Sequence, residues 1–309
     1  MKYAFIESHK SEYPVETMCR VLCASRSAFY EWQAGRVSKR AENRSRLLKE
    51  IKEIHKNFRG VYGSPRILRE LRSRGRKINH KPVEKLMKEN KIKAKRHKKF
   101  KQTTDSAHKL PIAPNLLDRA FSVLKPNLVW VTDITYLATQ EGWMYLATFI
   151  DLFSRKLVGW SMSARMTADL VVDAFRMAVF RQKHAPLMVH SDRGSQYASE
   201  KFRDEMRQHR CMRSMSRKAD CWDNSVAESF FATLKTELIH HEKFKTRDEA
   251  RLSVFEYIEA FYNRRRIHSH LNYESPEEFE RKYFNALSLG ECDKSLSLAP
   301  PPIAAAAHP

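Results

Sequence analysis

Residues 128–138 read LVWVTDITYLA, an apolar, β-branched and aromatic run with one carboxylate, Asp133, in its middle. Such a run predicts a buried strand. A carboxylate inside a buried strand is costly unless something pairs with it. Asp133 is therefore either satisfied by local hydrogen bonds or part of a site that holds a cation.

Outward from this strand, further strand candidates lie at 143–152 and 156–162, with turn signals at Gly142 and at Ser154, Arg155 and Lys156. Three successive antiparallel strands are expected. A helix over 167–182 follows, with Leu170, Val171, Ala174, Phe175, Ala178 and Val179 facing inward. Pro186 precedes a short strand, 187–191, ending at Asp192. A helix over 199–209, a strand over 211–216, a helix over 223–240 and a long helix over 246–265 complete the pattern. A three-strand meander followed by alternating helices and strands predicts an α/β fold, a mixed sheet with helices on its faces.

Two more acids stand out by position. Asp192 ends the fourth strand at an Asp192-Arg193-Gly194 turn, and Glu228 sits on the helix after Asp223, with 58 and 35 residues between successive acids. On that helix the apolar stripe is Ala227, Phe230, Phe231, Leu234 and Leu238, and Glu228 and Lys235 share its edge with Asn224 close by. A strand centre, a strand end and a helix edge can converge. Three bare carboxylates close together repel and take up protons. Hard divalent cations with oxygen ligands remove that penalty, and two of them serve phosphodiester chemistry. The plainer reading, each acid capping a helix or pairing with an arginine, would suffice for any one of them.

Residues 1–126 hold 32 Lys and Arg against 12 Asp and Glu, a net of +20 out of +21 for the whole chain. Positive charge segregated in this way points to nucleic acid. Residues 13–33 read as two short helices in helix-turn-helix arrangement, with Met18, Val21 and Leu22 on one apolar face and Ser25 or Ser27 as N-cap of the second. A charged helix over 41–57 and a pair over 64–73 and 81–90 make a second such unit, with Ser64 as N-cap, Pro65 in the first turn, and Arg66, Arg69, Arg72 and Arg74 outward. Residues 91–101, KIKAKRHKKFK, carry seven Lys and Arg and no acid, Lys95, Arg96, Lys98 and Lys99 among them. With the stretch to Pro126 they read as an extended linker that orders only against phosphates.

No apolar run of 18 residues exists, and the first ten residues lack an apolar signal region, so no membrane association is expected. The five cysteines are scattered, which disfavours a disulfide framework or a zinc ribbon and suggests a reduced, cytoplasmic setting. His190-Ser191-Asp192 has the residue types of a hydrolase triad, but neighbours on a strand point to opposite faces and cannot relay a proton.

The segments WVTDITY (130–136), HSDRGSQY (190–197) and DNSVAESFFATLKTE (223–237) resemble the integrase core of insertion-sequence transposases, and the acid spacing is that of the retroviral-integrase-like DDE group. YNRRRIHSHLNYESPEEF (262–279) resembles the closing segment of the same family, and GVYGSPRI (60–67) its helix-turn-helix. The specific resemblance is to OrfB-type transposases over about residues 1–283. It implies an RNase H-like, five-stranded mixed sheet flanked by helices after an all-α helix-turn-helix region. The chain is expected to divide as 1–35, 36–95, a basic linker 96–126 and a catalytic core 127–283, with a low-complexity tail, 284–309, expected from its composition to be disordered. It implies Asp133, Asp192 and Glu228 as ligands of two Mg²⁺ ions, with Mn²⁺ as a substitute. Strand cleavage at element ends would be followed by transfer of a 3′-OH to a new phosphodiester. Lys235, matching the family's lysine on the catalytic helix, would contact a DNA end, and Asn224, Arg193, Arg66, Arg69, Lys95, Arg96, Lys98 and Lys99 are further expected DNA contacts. The implied partners are double-stranded DNA at element ends and target, an OrfA-type protein or a frameshift fusion to one, and further copies of the chain on DNA, in a bacterial cytoplasm and nucleoid-associated. A purely hydrolytic nuclease of the same fold, and a DNA-binding regulator using residues 13–95, are the readings in competition.

Overall fold

The computed structural model describes residues 1–35, 38–95, 110–217 and 221–289. They fall into two compact units, Met1–Ala94 and Lys95–Pro309.

In the first unit, α1 (Lys2–Ser8), α2 (Val15–Val21) and α3 (Arg26–Gln33) pack around Ile6, Met18, Cys19 and Phe29. α1 was not foreseen: it has seven residues, no side-chain cap and a single buried side chain, Ile6. Ser25 caps α3 as expected, its hydroxyl accepting from the Ala28 amide at 3.3 Å. Val21 is not on the buried face but 73% exposed, and Cys19 takes that place beside Met18. The helices α4 (Lys39–Asn57), α5 (Ser64–Ser73) and α6 (His80–Glu89) form a second packed group through Ile51, Ile54, Ile67, Leu68, Leu71, Val83, Leu86 and Met87. Pro65 sits in the first turn of α5, but Ser64 does not cap it. The N-cap is Gly63, and the Ser64 hydroxyl bonds His80 Nε2 at 3.0 Å, joining the starts of α5 and α6.

The second unit is built on a five-stranded sheet of order β3-β2-β1-β4-β5. β1 (Val129–Thr139), β2 (Gly142–Asp151) and β3 (Leu157–Ser163) are the expected antiparallel meander, and β4 (Met188–Ser191) and β5 (Met212–Met215) run parallel to β1. This is the mixed, RNase H-like sheet of the sequence reading. One face presents Trp130, Ala147, Phe149 and Val158 to α7 (Ala168–Gln182) and α9 (Glu200–Gln208), against Leu170, Val171, Ala174, Phe175, Ala178 and Phe202. Gly159 lets α7 come this close: a Cβ there would lie 2.3 Å from the Ala174 carbonyl oxygen. Against the opposite side of β1 lie α10 (Ser225–Glu237) and α11 (Arg247–Phe255). The long helix expected over 246–265 instead widens into a π-helical stretch, Glu256–Tyr262.

Residues 110–121 are not the free linker expected. They strap the edge strand β5: the amides of Leu116 and Leu117 donate to Ser214 Oγ at 2.9 and 3.1 Å, the Met215 amide donates to the Pro114 carbonyl at 3.3 Å, and Ala113 and Leu117 are buried. An edge strand left open would invite pairing with another chain, and the strap covers it. Two further helices belong to the unit, the single turn α8 (Ser195–Ala198) and the longer α12 (Pro276–Ser288). α12, capped by Ser275 with Pro276 in its first turn, carries ordered chain past 284, where the tail was expected to begin. The low-complexity end from 290 lies outside the described residues. Among the described residues no helix is long and apolar enough to cross a membrane.

Candidate active site

β1 and β4 are paired in parallel with Val131 opposite His190. Two residues further along each chain come Asp133 and Asp192, so the register brings a strand centre and a strand end abreast where β4 stops. Asp133 Oδ1 accepts from the Ile134 amide at 2.8 Å, and Asp192 Oδ1 from the Gly194 amide at 2.9 Å. Neither bond supplies a counter-charge.

The third acid arrives on α10. The 3₁₀ turn Cys221–Asn224 leads into that helix, and Asn224 Nδ2 donates to the carbonyl of Thr132, the residue before Asp133, at 3.1 Å. Glu228 lies four residues on, one turn along the same side of the helix. Lys235 follows on that side, its ammonium 5.5 Å from the centre of the Tyr136 ring, three residues along β1 from Asp133. Burial and the negative charge of Asp192 hold the Asp133 pKa well above the usual carboxylate value. Glu228 adds to the effect, while the Ile134 amide and Lys235 oppose it. Burial lowers the Lys235 pKa and Asp133 works against that shift. The three acids and the lysine of the sequence reading are thus one electrostatic cluster.

Among the described residues, no group of three or more His, Cys, Asp and Glu side chains stands in a ready-made metal-ligand arrangement. The acids share a field without forming a closed cage. Their donor chemistry still suits a hard divalent ion: the donors are carboxylate oxygens, and Mg²⁺ uses one or two of these while keeping several waters. A cation would also relieve the repulsion that raises the Asp133 pKa.

Beneath the acids, on the α7 side, buried Tyr197 places its hydroxyl 3.1 Å from Thr132 Oγ1. Burial raises its pKa far above the ordinary phenol value, and Asp133 and Asp192 reinforce this. His190 is buried between Ser214 Oγ, 2.8 Å from Nδ1, and Ser216 Oγ, 3.2 Å from Nε2. Burial lowers its pKa to about 4, so it is neutral and joins β4 to β5. It takes no part in a relay with Ser191 and Asp192, as the strand geometry required.

The expected DNA contacts are distributed otherwise. Asn224 is only 4% exposed, and its amide is bonded to β1. Arg193 Nε donates to the Ser216 carbonyl at 2.7 Å and fastens the turn after β4. Lys95 Nζ donates to the Glu237 carbonyl at 3.0 Å, at the end of α10. In the first unit, Arg66 lies over the Tyr62 ring, 5.6 Å from its centre, while Arg69 is exposed. Arg96, Lys98 and Lys99 lie outside the described residues. Sequence reasoning missed Thr132, Tyr197 and the role of Asp223, a buried carboxylate that gathers Asn115, Arg119 and Arg217. Their partners lie six to 108 residues away, beyond any periodicity.

Residues 124–221 match a family described as integrase core domain, residues 228–284 match a second family of that description, and residues 42–100 match an HTH-like domain. The chain is 44% identical over 285 residues to the transposase InsF for insertion sequence IS3A of Escherichia coli (strain K12), covering 91% of this chain and 99% of that protein. It is 45% identical over 267 residues to the insertion element IS600 uncharacterized 31 kDa protein of Shigella sonnei, covering 86% and 98%. Among solved structures, the HTLV-2 integrase catalytic core domain in complex with magnesium (trimeric form) aligns with a TM-score of 0.41 at 16% identity, covering 52% of this chain and 99% of that one.

Proposed function

The chain belongs to the family of insertion-sequence transposases that includes InsF of IS3, and on that footing we propose that Asp133, Asp192 and Glu228 are the carboxylates at which it breaks and joins DNA. The enzyme is a DDE-type polynucleotidyl transferase, a transposase with an integrase core, and its HTH-like and integrase domains bind DNA. The observation that carries the residue assignment is the β1–β4 register, which sets Asp133 abreast of Asp192, with the charge of Glu228 on α10 acting on Asp133.

Asp133 and Asp192 would hold one Mg²⁺ and Glu228 would complete the site of a second, with Mn²⁺ as a substitute. When bound, such a pair of ions neutralises the carboxylates and the charge that develops on the reacting phosphate. The chain's own contribution is rigidity and placement. β1 fixes Asp133, the β4 register fixes Asp192, and α10 carries Glu228 with Lys235 on the same side, where a phosphate of the DNA end would be held. Catalysis of this kind rests on positioning and charge stabilisation. Water and then a DNA 3′-OH are the successive nucleophiles. Two ends must be processed together, so several copies act on one DNA, in the cytoplasm at the nucleoid. An OrfA-type protein, separate or fused by frameshifting, would supply recognition of the ends.

The test is joining of a duplex carrying the element's own terminal inverted repeat to plasmid DNA in MgCl₂. Joined product is expected with the intact chain and none with Glu228→Gln. A Glu228→Gln protein as active as the parent would sink the assignment.

A further inference from the structure

Asn224 and Asp223 form a junction between three parts of the second unit. Asp223 is fully buried and binds in two directions. On one side it accepts from the strap over β5: Asn115 Nδ2 at 2.9 Å and Arg119 Nε at 3.1 Å. On the other it accepts from Arg217 just after β5, from the backbone amide at 2.8 Å and from Nη2 at 2.8 Å. The next residue, Asn224, reaches across to the Thr132 carbonyl. Thr132 lies one residue past Val131, where pairing between β1 and β4 ends. The start of α10 is therefore tied to the strap, to the end of β5 and to the point on β1 that precedes Asp133.

Glu228 is one helical turn beyond Asn224, so the Asn224–Thr132 bond sets how Glu228 projects relative to Asp133. The other amide atom, Asn224 Oδ1, is buried with no hydrogen-bond partner among the described residues. Packing alone does not favour a half-satisfied amide in such a place, because an unmade buried hydrogen bond is a standing cost. A residue held for its donor, aimed at one carbonyl, accounts for both atoms.

We infer that Asn224, held in place by Asp223, is a positioning residue that sets Glu228 against Asp133 through the Thr132 carbonyl. The inference rests on the assignment of Glu228 to the catalytic site. It replaces the DNA contact expected of Asn224 from its sequence position.

The experiment compares the full chain with Asn224→Ala, Asn224→Asp and Glu228→Gln in two assays. One is nicking of supercoiled plasmid in MnCl₂, with plasmid affinity measured separately. The other is the rise in melting temperature caused by MnCl₂, which needs no turnover. Asn224→Asp keeps the shape of the side chain but lacks the donor, so it carries the test if Asn224→Ala folds poorly. Both Asn224 variants are expected to nick about 10- to 100-fold more slowly and to need about tenfold more MnCl₂ for the half-maximal thermal shift, as for groups that orient metal ligands. Plasmid affinity should stay within about twofold, since the amide does not face solvent. Weakened plasmid affinity with an unchanged MnCl₂ requirement would return Asn224 to the DNA surface and overturn the inference. So would Asn224 variants that match the parent in rate and thermal shift while Glu228→Gln is inactive. Full activity and an unchanged thermal shift in Glu228→Gln would instead remove the assignment on which the inference stands.

Discussion

Glu237 and Arg266 form a buried two-point ion pair, with Arg266 Nη2 2.7 Å from Glu237 Oε1 and Nε 2.9 Å from Oε2. They are 6% and 4% exposed, and Tyr257 adds its hydroxyl to Glu237 Oε2 at 2.7 Å. Burial alone would lower the arginine pKa, but Glu237 more than compensates and drives it upward. The pair fastens the last residue of α10 to the segment after the π-helical stretch. Removing one partner strands a buried charge, which typically costs about 3–5 kcal/mol, whereas replacing both by apolar groups is often near neutral. Arg266→Met is therefore expected to lower thermal stability sharply. Glu237→Met combined with Arg266→Met should recover most of the loss. A double variant no more stable than the single one would contradict this account.

Asp133 gives a prediction of opposite sign. Its pKa is raised by burial and by Asp192, so without a divalent ion its charge opposes folding at neutral pH. Asp133→Asn should raise the melting temperature of the protein in EDTA. The parent should gain stability on adding MgCl₂ or MnCl₂ as RT ln(1 + [L]/Kd), and Asp133→Asn should gain little. Calorimetry with and without metal checks both halves. A variant less stable than the parent in EDTA would show that Asp133 is satisfied by its local bonds alone.

The sheet was legible because it rests on local pattern, apolar β-branched runs bounded by turn residues for β1 to β3, and the three acids stood out by place, a strand centre for Asp133, a strand end for Asp192 and a stripe edge for Glu228. What escaped depends on distant partners. α1 is too short to show a period, and its identity rests on Ile6 meeting Met18 and Phe29. The strap at 110–121 carries two prolines and no helix or strand period, so it reads with the basic stretch before it as a linker, and its order comes from Ser214 and Asp223, about a hundred residues on. Ser64 has the residue type of an N-cap, yet its hydroxyl is drawn to His80, a tertiary contact that overrides a local preference. Asn224 falls in the 3₁₀ turn that leads into α10 rather than on the helix expected from residue 223, and only the structure shows that its amide faces β1.

Asp223 makes stability depend on pH. Hydrogen bonds from Arg217 hold its carboxyl far below the ordinary range, with Arg119 assisting and burial opposing. A carboxylate depressed in the folded state stabilises it above the unfolded value of about 3.9, and that contribution is lost as pH falls toward the folded value. Melting temperature should therefore fall between about pH 5 and pH 3, more steeply in the parent than in Asp223→Asn. Parallel curves for the two proteins over that interval would show that Asp223 contributes nothing to the acid limb.

Gly159 tests the packing of the sheet against α7. Its backbone is unremarkable in φ, so the need for glycine is one of space. A Cβ would meet the Ala174 carbonyl oxygen at 2.3 Å and the Ala178 amide nitrogen and Cβ at 2.6 Å. These are helix backbone and a methyl group, none of which can swing aside. Gly159→Ala must push α7 off β3, and overpacking of this kind typically costs about 1–3 kcal/mol. The same face carries Trp130, Phe149 and Phe175, whose rings meet edge-on at 5.6 to 6.4 Å, so a displaced α7 also loosens those contacts. Ala178→Gly should relieve part of the clash but not the part due to the Ala174 carbonyl. The expected order of melting temperature is parent, then Gly159→Ala with Ala178→Gly, then Gly159→Ala alone. Gly159→Ala as stable as the parent would mean that α7 and β3 are not held as closely as the Ala174–Gly159 approach requires.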